Sequence, residues 1–247
     1  MNTPEWNECI KNLADSVRNQ PITRVTPNKV AVIVEPRDHI VLQDLLIWMV
    51  HLLAPYGWHF IVYHGNKNKH IVPLQDVIEL RNLGKDNLTI DEYNAMCKSI
   101  PFWQSIPYEN ILIFQTDSVI LDANLDRFLP YDYVGAPWRD GIVQAYGLTS
   151  CVGNGGLSLR RRSAMINCIA ATQRRMVTLR KSHYYEDMYF SNNPQYKMNI
   201  PSKEISGQFS VETIYYENPI GYHKPWHYHP DKMPSICEYI NQKRMKF

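Results

Sequence analysis

The sequence lacks several features that would assign it to a special class of protein. Its five cysteines form no Cys-x-x-Cys pair, and their odd number fits no small disulfide framework. Lysine and arginine total 26 against 24 aspartate and glutamate residues, so the net charge of +2 excludes a strongly basic nucleic-acid tail and argues against a DNA or RNA footprint. The longest uninterrupted apolar run, Leu45–Val50, is far shorter than the ~18 residues of a membrane span. We therefore expect reduced thiols, no nucleic-acid partner and no transmembrane segment.

A secretory leader pattern is also missing, because Met1–Asn12 is charged and contains no apolar run. This predicts a cytoplasmic location. What the chain does contain is typical of a globular protein: 45% hydrophobic residues and 20% charged residues over 247 positions. No repeat, low-complexity segment or linker divides it, so we expect a single domain spanning residues 1–247.

The predicted elements favour the α/β class. Lys29–Glu35 is an apolar, β-branched run typical of a buried strand, Ile40–Leu53 has the pattern of a sandwiched helix, and Trp58–Tyr63 follows as a second strand. A strand–helix–strand unit predicts a parallel sheet with a right-handed crossover. Further along, the sequence predicts helices at Asp76–Leu83, Thr89–Lys98 and Arg162–Arg174 and strands at Ile111–Phe114, Leu157–Arg160 and within Phe209–Tyr216.

The first candidate site follows the third predicted strand, where Gln115-Thr116-Asp117 ends the apolar run. In an open α/β sheet, ligands bind outside the carboxyl ends of the strands. A carboxylate at this place could hold Mg²⁺ or Mn²⁺ and bridge it to phosphates. The alternative is that Asp117 only caps the following turn through its side chain.

A second candidate is the glycine cluster Gly153–Gly156, because dense glycine indicates a close approach to the backbone or a positive φ. A dinucleotide-binding fingerprint would need glycine at Ser158, and a nucleophile elbow would need it at Arg160. Both are excluded, and a plain tight turn is the alternative.

Two further segments carry acid–base or metal-ligating side chains. The adjacent carboxylates Glu186 and Asp187 could supply a general base, or could merely begin a solvated helix. Three histidines lie in Gly221–His229, but Pro225 prevents a helical zinc site. One of them could still join a carboxylate in an open metal site. Packing of this loop on the core is the alternative.

A run of seven positive charges extends from Arg160 to Lys181 without an intervening acid. Such a run could attract phosphates, but it is more typical of a solvated helix face, and we interpret it in that way.

Taken in order, these segments resemble nucleotide-sugar glycosyltransferases of the GT-A fold. More closely, FQTDSVIL, YDYVGAPW, VGNGGLSLR, EDMYFS and PIGYHKPW are similar to an uncharacterised family of glycosyltransferase-like domains found in bacteria, fungi and large DNA viruses. The resemblance covers residues 28 to 230. It implies a single-domain, Rossmann-like GT-A fold with a mixed, mostly parallel central sheet, and a host cytoplasm or virion location if the source is viral.

The resemblance also implies roles for particular residues. Asp117 matches the second acid of the D-x-D element, the usual metal ligand, whereas Gln115 replaces the first acid, which commonly contacts the donor ribose. One carboxylate thus remains where the family pattern has two. His223 matches the histidine that can complete the shell of a divalent cation, Mn²⁺ or Mg²⁺, and Lys224 is placed for a diphosphate oxygen.

For the remaining donor and catalytic positions, the resemblance implies that Asp187 is the base and that Glu186 braces its loop or binds an acceptor hydroxyl. The donor, a UDP-sugar ahead of other nucleotide-sugars, would further contact Glu35, Arg37, Asn154, Gly155 and Gly156. The acceptor, a glycan or another hydroxyl compound, would contact Trp138, Tyr185 and Trp226. The two tryptophans offer flat faces for stacking on a sugar, and the alternative is that they are buried packing anchors.

Two rival functions remain. A sugar nucleotidyltransferase would need a glycine-rich basic loop after the first strand, which Glu35-Pro36-Arg37 does not supply. A degenerate sugar- or nucleotide-binding module is consistent with Gln115.

Overall fold

The computed structural model describes residues 2–174 and 184–244. Its strands are Lys29–Glu35 (β1), Trp58–His64 (β2), Ile78–Asn82 (β3), Asn110–Phe114 (β4), Ser118–Ile120 (β5), Tyr133–Val134 (β6), Leu157–Arg161 (β7), Ser210–Val211 (β8) and Gly221–His223 (β9). Its α-helices are Pro4–Asp15 (α1), Leu42–Leu53 (α2), Ile90–Cys97 (α3), Ile100–Ser105 (α4), Asp140–Tyr146 (α5), Arg162–Arg174 (α6), Glu186–Ser191 (α7), Lys203–Phe209 (α8), Pro225–Tyr228 (α9) and Met233–Gln242 (α10).

The central sheet has the strand order β3-β2-β1-β4-β7-β6. The first four of these strands are parallel, and β7 is antiparallel to both of its neighbours. The prediction of a mixed, mostly parallel sheet is confirmed. The chain runs from β1 outward to β3 and then returns to β4 on the other side of β1. This reversal places a crevice between the carboxyl ends of β1 and β4, which is where open α/β sheets bind ligands.

Apolar side chains cover both faces of the sheet. Alternate residues of β1 and β4 enter two different cores, so that Ala31 and Leu112 pack on one side, and Val32 and Ile113 on the other. The first core includes α1, α2 and α10, and the second includes α4, α6 and α7. Burial on both faces explains why these strands are continuously apolar in sequence.

A small second sheet, with the order β5-β9-β8, adjoins the carboxyl end of β4. Antiparallel pairing of β5 with β9 places Ser118 opposite His223. Two segments that are about a hundred residues apart in sequence therefore meet at the crevice.

Several predicted elements differ from the structure. The prediction of a helix at Asp76–Leu83 is wrong: Ile78–Asn82 forms the parallel edge strand β3. Its apolar and polar residues alternate, which suits a strand that is covered on one face. Within Phe209–Tyr216 only Ser210–Val211 is a strand. No helix in the described ranges is long and apolar enough to span a membrane.

Candidate functional site

A cavity of about 450 Å³ opens at the carboxyl ends of β1 and β4. It brings together nearly all the site residues expected from the sequence. Those that line it are Glu35, Arg37, Gln115, Asp117, Asn154, Gly155, Gly156, Tyr185, Glu186, Asp187, His223 and Lys224.

Asp117 lies in a tight turn between β4 and β5. The hydroxyl of Ser118 accepts from the backbone N–H of Gln115 (3.0 Å) and donates to its carbonyl (2.9 Å), which closes the turn. The backbone N–H of Lys224 then donates to the carbonyl of Asp117 at 2.9 Å. These contacts fix Asp117 beside the end of β9.

The Asp117 side chain faces two cationic groups. Its Oδ1 lies 3.4 Å from His223 Nε2, and its Oδ2 lies 3.3 Å from Lys224 Nζ. On the other side of the imidazole, His223 Nδ1 lies 2.9 Å from Oε1 of Glu212. His223 is therefore buried between two carboxylates.

These contacts determine the ionisation of the cluster. Although burial disfavours the carboxylate, His223 and Lys224 hold the pKa of Asp117 well below its usual range. Burial likewise disfavours the imidazolium, but Asp117 and Glu212 together raise the pKa of His223 to about 9. The raised pKa favours a protonated His223 while no metal cation is bound, so that both His223 and Lys224 face Asp117 as cations.

The same geometry fits a divalent cation. Asp117 Oδ1 and His223 Nε2 are buried atoms with no hydrogen-bond partner among the described residues. Two such atoms 3.4 Å apart are close to the spacing of neighbouring ligands around a metal ion, and a carboxylate behind the other imidazole nitrogen is the usual support of a metal-bound histidine. No three His, Cys, Asp or Glu side chains in the described ranges form a complete metal site. Oxygen atoms of a ligand would have to complete the shell.

The end of β1 forms the opposite wall. Glu35 accepts from both the backbone N–H and the guanidinium of Arg37, with an ion-pair distance of 2.7 Å. The buried amide of Asn68 holds this loop by donating to the carbonyls of Glu35 (2.8 Å) and Arg37 (2.7 Å) and accepting from Gly65 N–H (2.7 Å).

The glycine turn lies between these walls, and of the two reasons expected for its glycines the structure shows close approach and not a positive φ. The residue with positive φ is Asn154 (φ 73°), and neither Gly155 nor Gly156 is in the left-handed region. A Cβ on Gly155 would overlap the carboxylate of Glu186, and a Cβ on Gly156 would overlap the imidazole of His223. The glycines are thus required by close contact with other site residues.

Asp187 lines the cavity from the first turn of α7. Its Oδ2 accepts from Gly155 N–H at 3.2 Å, and its Oδ1 accepts from Met188 N–H at 2.8 Å. Burial raises the pKa of Asp187 to about 7, with Glu186 and Glu212 acting in the same direction. A carboxyl group with this pKa is suited to exchange protons near neutral pH.

Glu186 is not free to exchange a proton in this way, because both of its carboxylate oxygens pair with the guanidinium of Arg160. Arg160 is only 2% exposed and belongs to β7. The interpretation of this arginine as part of a solvated helix face is therefore wrong. Other members of the same run, Arg175, Arg180 and Lys181, lie outside the described residues.

The two tryptophans expected at the acceptor do not line the cavity. Trp138 is 3% exposed and packs with Leu148 and Met188, and its ring occupies the space that a side chain on Gly153 would fill. Trp226 instead packs against the indole of Trp6 in a tilted arrangement, with 5.0 Å between the ring centroids and 50° between the ring planes. Both expectations are corrected, because neither indole offers a free face to a sugar at this site.

Sequence reasoning missed several residues of the site. Glu212 carries no motif signal, and Arg160, although it ends the VGNGGLSLR segment, was assigned to a basic run; the partners of both are distant in sequence. Asn94, whose Oδ1 accepts from Glu186 N–H at 2.8 Å, lies on α3, the far wall of the cavity. The Thr89–Glu92 capping box at the start of this helix was the one local signal pointing to that wall.

One protein-family model covers most of the residues of this site. The family model described as "Protein of unknown function (DUF5672)" matches residues 77–223, more than half of the 247-residue chain. The matched part includes Asp117, the glycine turn, Asp187 and His223. No curated protein matches the sequence.

Solved structures share the fold. The apo structure of the bifunctional glycosyltransferase WbbM matches with a TM-score of 0.51 at 12% identity, over 92% of this chain and 54% of WbbM. The galactosyltransferase LgtC, solved in complex with donor and acceptor sugar analogs, matches with a TM-score of 0.52 at 12% identity, over 88% of this chain and 97% of LgtC. The chain thus spans about half of WbbM and nearly all of LgtC. The chain has the GT-A glycosyltransferase fold that the sequence predicts.

Proposed function

The chain belongs to the family described as "Protein of unknown function (DUF5672)", and we propose that it is a glycosyltransferase. In this proposal it transfers a sugar from a nucleotide-sugar donor, a UDP-sugar ahead of others, to a hydroxyl group of a glycan or another acceptor. The fold supports glycosyl transfer as the general class of reaction.

The observation that carries the proposal is the buried pair Asp117 Oδ1 and His223 Nε2, which lie 3.4 Å apart and have no hydrogen bond from any other described residue, with Glu212 behind the imidazole in the cavity wall. We expect these atoms to hold Mn²⁺ or Mg²⁺, with donor diphosphate oxygens completing the shell. The bound cation would offset the negative charge that develops on the leaving nucleoside diphosphate. Lys224 Nζ, 3.3 Å from Asp117, would add a second positive charge at the same place.

Asp187 is proposed as the base of a direct displacement. The acceptor oxygen forms a bond to the anomeric carbon while the bond from that carbon to the diphosphate oxygen breaks. The hydroxyl proton passes to the Asp187 carboxylate, and the electron pair of the broken bond leaves with the diphosphate. Asp187 suits this task because it lines the cavity and forms no ion pair with a described residue, unlike Asp117 and Glu186.

The donor would extend from this centre toward β1. Glu35 and Arg37 would contact its nucleoside, Gln115 its ribose, and the Asn154–Gly156 turn its sugar. Tyr185, which is 39% exposed at the cavity mouth, is the remaining aromatic candidate for the acceptor.

The proposal is tested by incubating the protein with UDP-, GDP- and dTDP-sugars and measuring release of free nucleotide, with and without Mn²⁺. We expect Mn²⁺-dependent release from one nucleotide class, faster when an acceptor is added. Tight binding without release would favour the degenerate binding module that Gln115 suggests. If the protein neither bound nor cleaved any of these donors, the proposal would be contradicted.

A further inference from the structure

A buried ion pair lies directly behind the cavity wall. The side chain of Arg160 is fully buried, and that of Glu186 is 4% exposed. The guanidinium pairs with both carboxylate oxygens, at 2.9 Å for Nη2 to Oε1, and its Nε donates to the hydroxyl of Ser158 at 2.9 Å. Aromatic rings surround it, and that of Tyr133 is the nearest, with its centroid 5.0 Å from the guanidinium carbon.

Stability alone is a weak reason for such a pair. Removing two charges from water costs as much as their attraction returns, and apolar residues of similar volume often serve folding as well or better. A pair held in bidentate geometry does, however, fix the relative positions of the segments that carry its members.

Four segments meet at this pair, two of which carry its members. Arg160 lies on β7, and Glu186 is the first residue of α7. The Cα of Gly155 lies so close to the pair that a Cβ there would overlap the Glu186 carboxylate. Asn94 of α3 accepts from the backbone N–H of Glu186 at 2.8 Å. The next residue, Asp187, accepts from Gly155 N–H.

We propose that Arg160 and Glu186 form a positioning pair that holds α7 against the glycine turn and thereby directs the Asp187 carboxylate into the cavity. The inference rests on the proposed function, in which Asp187 is the base. Arg160 and Glu186 themselves are positioning residues, because each binds the other instead of the reacting groups.

The pair also affects the pKa of Asp187. The charged or titratable groups that act on this carboxyl are Glu186, Arg160 and Glu212, together with the hydroxyls of Tyr133 and Tyr228. Glu186 raises the pKa of Asp187 more strongly than Arg160 lowers it. Removing both members should lower this pKa, and any release of Asp187 toward water should lower it further.

The test uses the double variant Arg160→Met/Glu186→Leu, which removes both charges and so leaves no unpaired ion in the core. We expect it to fold with a Tm equal to or above that of the unchanged protein. If it does not fold, Glu186→Gln, which keeps a hydrogen bond to Arg160, is measured instead. The matched control is Arg161→Met, the next residue of β7, whose guanidinium donates to the carbonyl of Leu129 at 3.0 Å.

The first measurement is independent of any reaction. Carboxyl ¹³C NMR of aspartate-labelled protein gives the titration midpoint of Asp187, identified by the signal missing from Asp187→Asn. We expect this midpoint to fall by at least about one pH unit in the pair variant, a tenfold change in proton affinity, and to stay unchanged in Arg161→Met. An unchanged midpoint in a folded pair variant would overturn the inference.

The second measurement separates rate from binding. In the pair variant we expect nucleotide release to be slowed at least tenfold, while the affinity for UDP with Mn²⁺ changes by less than twofold. A lower Tm with an unchanged rate would mean that the pair is only structural, and would also overturn the inference. If the unchanged protein released no nucleotide, the proposed function would fail, whereas the NMR titration would still decide whether the pair positions Asp187.

Discussion

At the scale of single residues, the carboxylates that line the cavity differ in their partners. Asp187 alone among them lacks a cationic side chain within ion-pair distance in the described part of the chain. The partners of the others are Arg37 for Glu35, His223 and Lys224 for Asp117, Arg160 for Glu186 and His223 for Glu212. Charged, partnered groups can bind and orient a ligand, whereas an unpaired carboxyl with a raised pKa can take a proton.

Asp187→Asn is expected to slow nucleotide release by ~10²–10⁴-fold with little change in donor affinity, because the base is lost while the donor contacts remain. In the unchanged protein the rate should fall as the pH drops below about 7, where Asp187 becomes protonated. Steady-state kinetics between pH 5 and 9 measure both effects. A fully active Asp187→Asn would place the base elsewhere.

The same substitution should stabilise the fold. The pKa of Asp187 is raised from 3.8 to about 7 on folding, so its ionised form opposes folding. This cost is absent below about pH 4, grows as the pH rises through this window and is complete above about pH 7. Removing the charge should therefore raise the free energy of unfolding by ~1–3 kcal/mol at pH 8 and by less at pH 5.

Urea unfolding at the two pH values measures this gain, with Glu238→Gln as the control because Glu238 is an exposed carboxylate on α10. An equal gain at both pH values would contradict the assigned ionisation of Asp187.

Gly156→Ala tests the close contact between the glycine turn and the proposed metal ligand. The added Cβ would overlap Nε2 of His223, and Glu212 limits how far this imidazole can move. We expect Mn²⁺-dependent nucleotide affinity to fall at least tenfold. The control is Gly141→Ala, where the Cβ meets no atom within 4 Å and the residue lies in α5. Its nucleotide affinity should be unchanged. Equal behaviour of the two variants would argue against His223 as a ligand.

At the scale of elements, the loops that follow β1 and β2 are joined by one side chain. The amide of Asn68 makes three hydrogen bonds, to Gly65 N–H and to the carbonyls of Glu35 and Arg37. Asn68→Ala would leave buried backbone groups unpaired, which should lower the free energy of unfolding by ~2–4 kcal/mol. Chemical unfolding measures this loss. A loss below about 0.5 kcal/mol would show that water replaces the amide.

The elements that were predicted correctly are those with a strong local signal. Lys29–Glu35 and the apolar part of β4 are buried on both faces and so are apolar at every position, and the capping box of Thr89 marks the start of α3. By contrast, Ile78–Asn82 is too short to distinguish an edge strand from a helix by periodicity. Helix α1 was not predicted, since its apolar residues are interspersed with polar ones and become buried only by packing on α2 and α10.

The site residues likewise divide into those with a local sequence signal and those without one. The turn after β4 and the glycine cluster are recognisable because the constraint is local: Asp117 follows a strand, and the glycines are adjacent. The environment of Arg160 could not be predicted, since its burial depends on Glu186, which is distant in sequence. For Trp138, sequence alone does not distinguish an indole that packs against a backbone turn from one that presents a face to a sugar.

At the scale of the whole molecule, the sheet reversal places the two halves of the proposed donor site on separate strands. The end of β1 supplies Glu35 and Arg37, whereas β4 and the small sheet supply Asp117 and His223. The family match begins at residue 77, after β1 and β2. Strand β1 nevertheless belongs to the central sheet and pairs directly with β4. A ligand that contacts both the end of β1 and the wall formed by β4 and the small sheet should therefore stabilise the whole central sheet.

The central claim is that Asp117 and His223 hold a divalent cation together with a nucleoside diphosphate. Its most direct test is the thermal unfolding of the unchanged protein, Asp117→Asn and His223→Ala, with UDP, GDP and dTDP, each with and without Mn²⁺. Ligand at ~100 times its Kd should add about 2.7 kcal/mol of stability, which raises Tm by roughly 5–10 °C for a chain of this size. The account predicts such a rise for one of the three nucleotides, only with Mn²⁺, absent in Asp117→Asn and reduced in His223→Ala. A rise that is independent of Mn²⁺, or retained in Asp117→Asn, would contradict it.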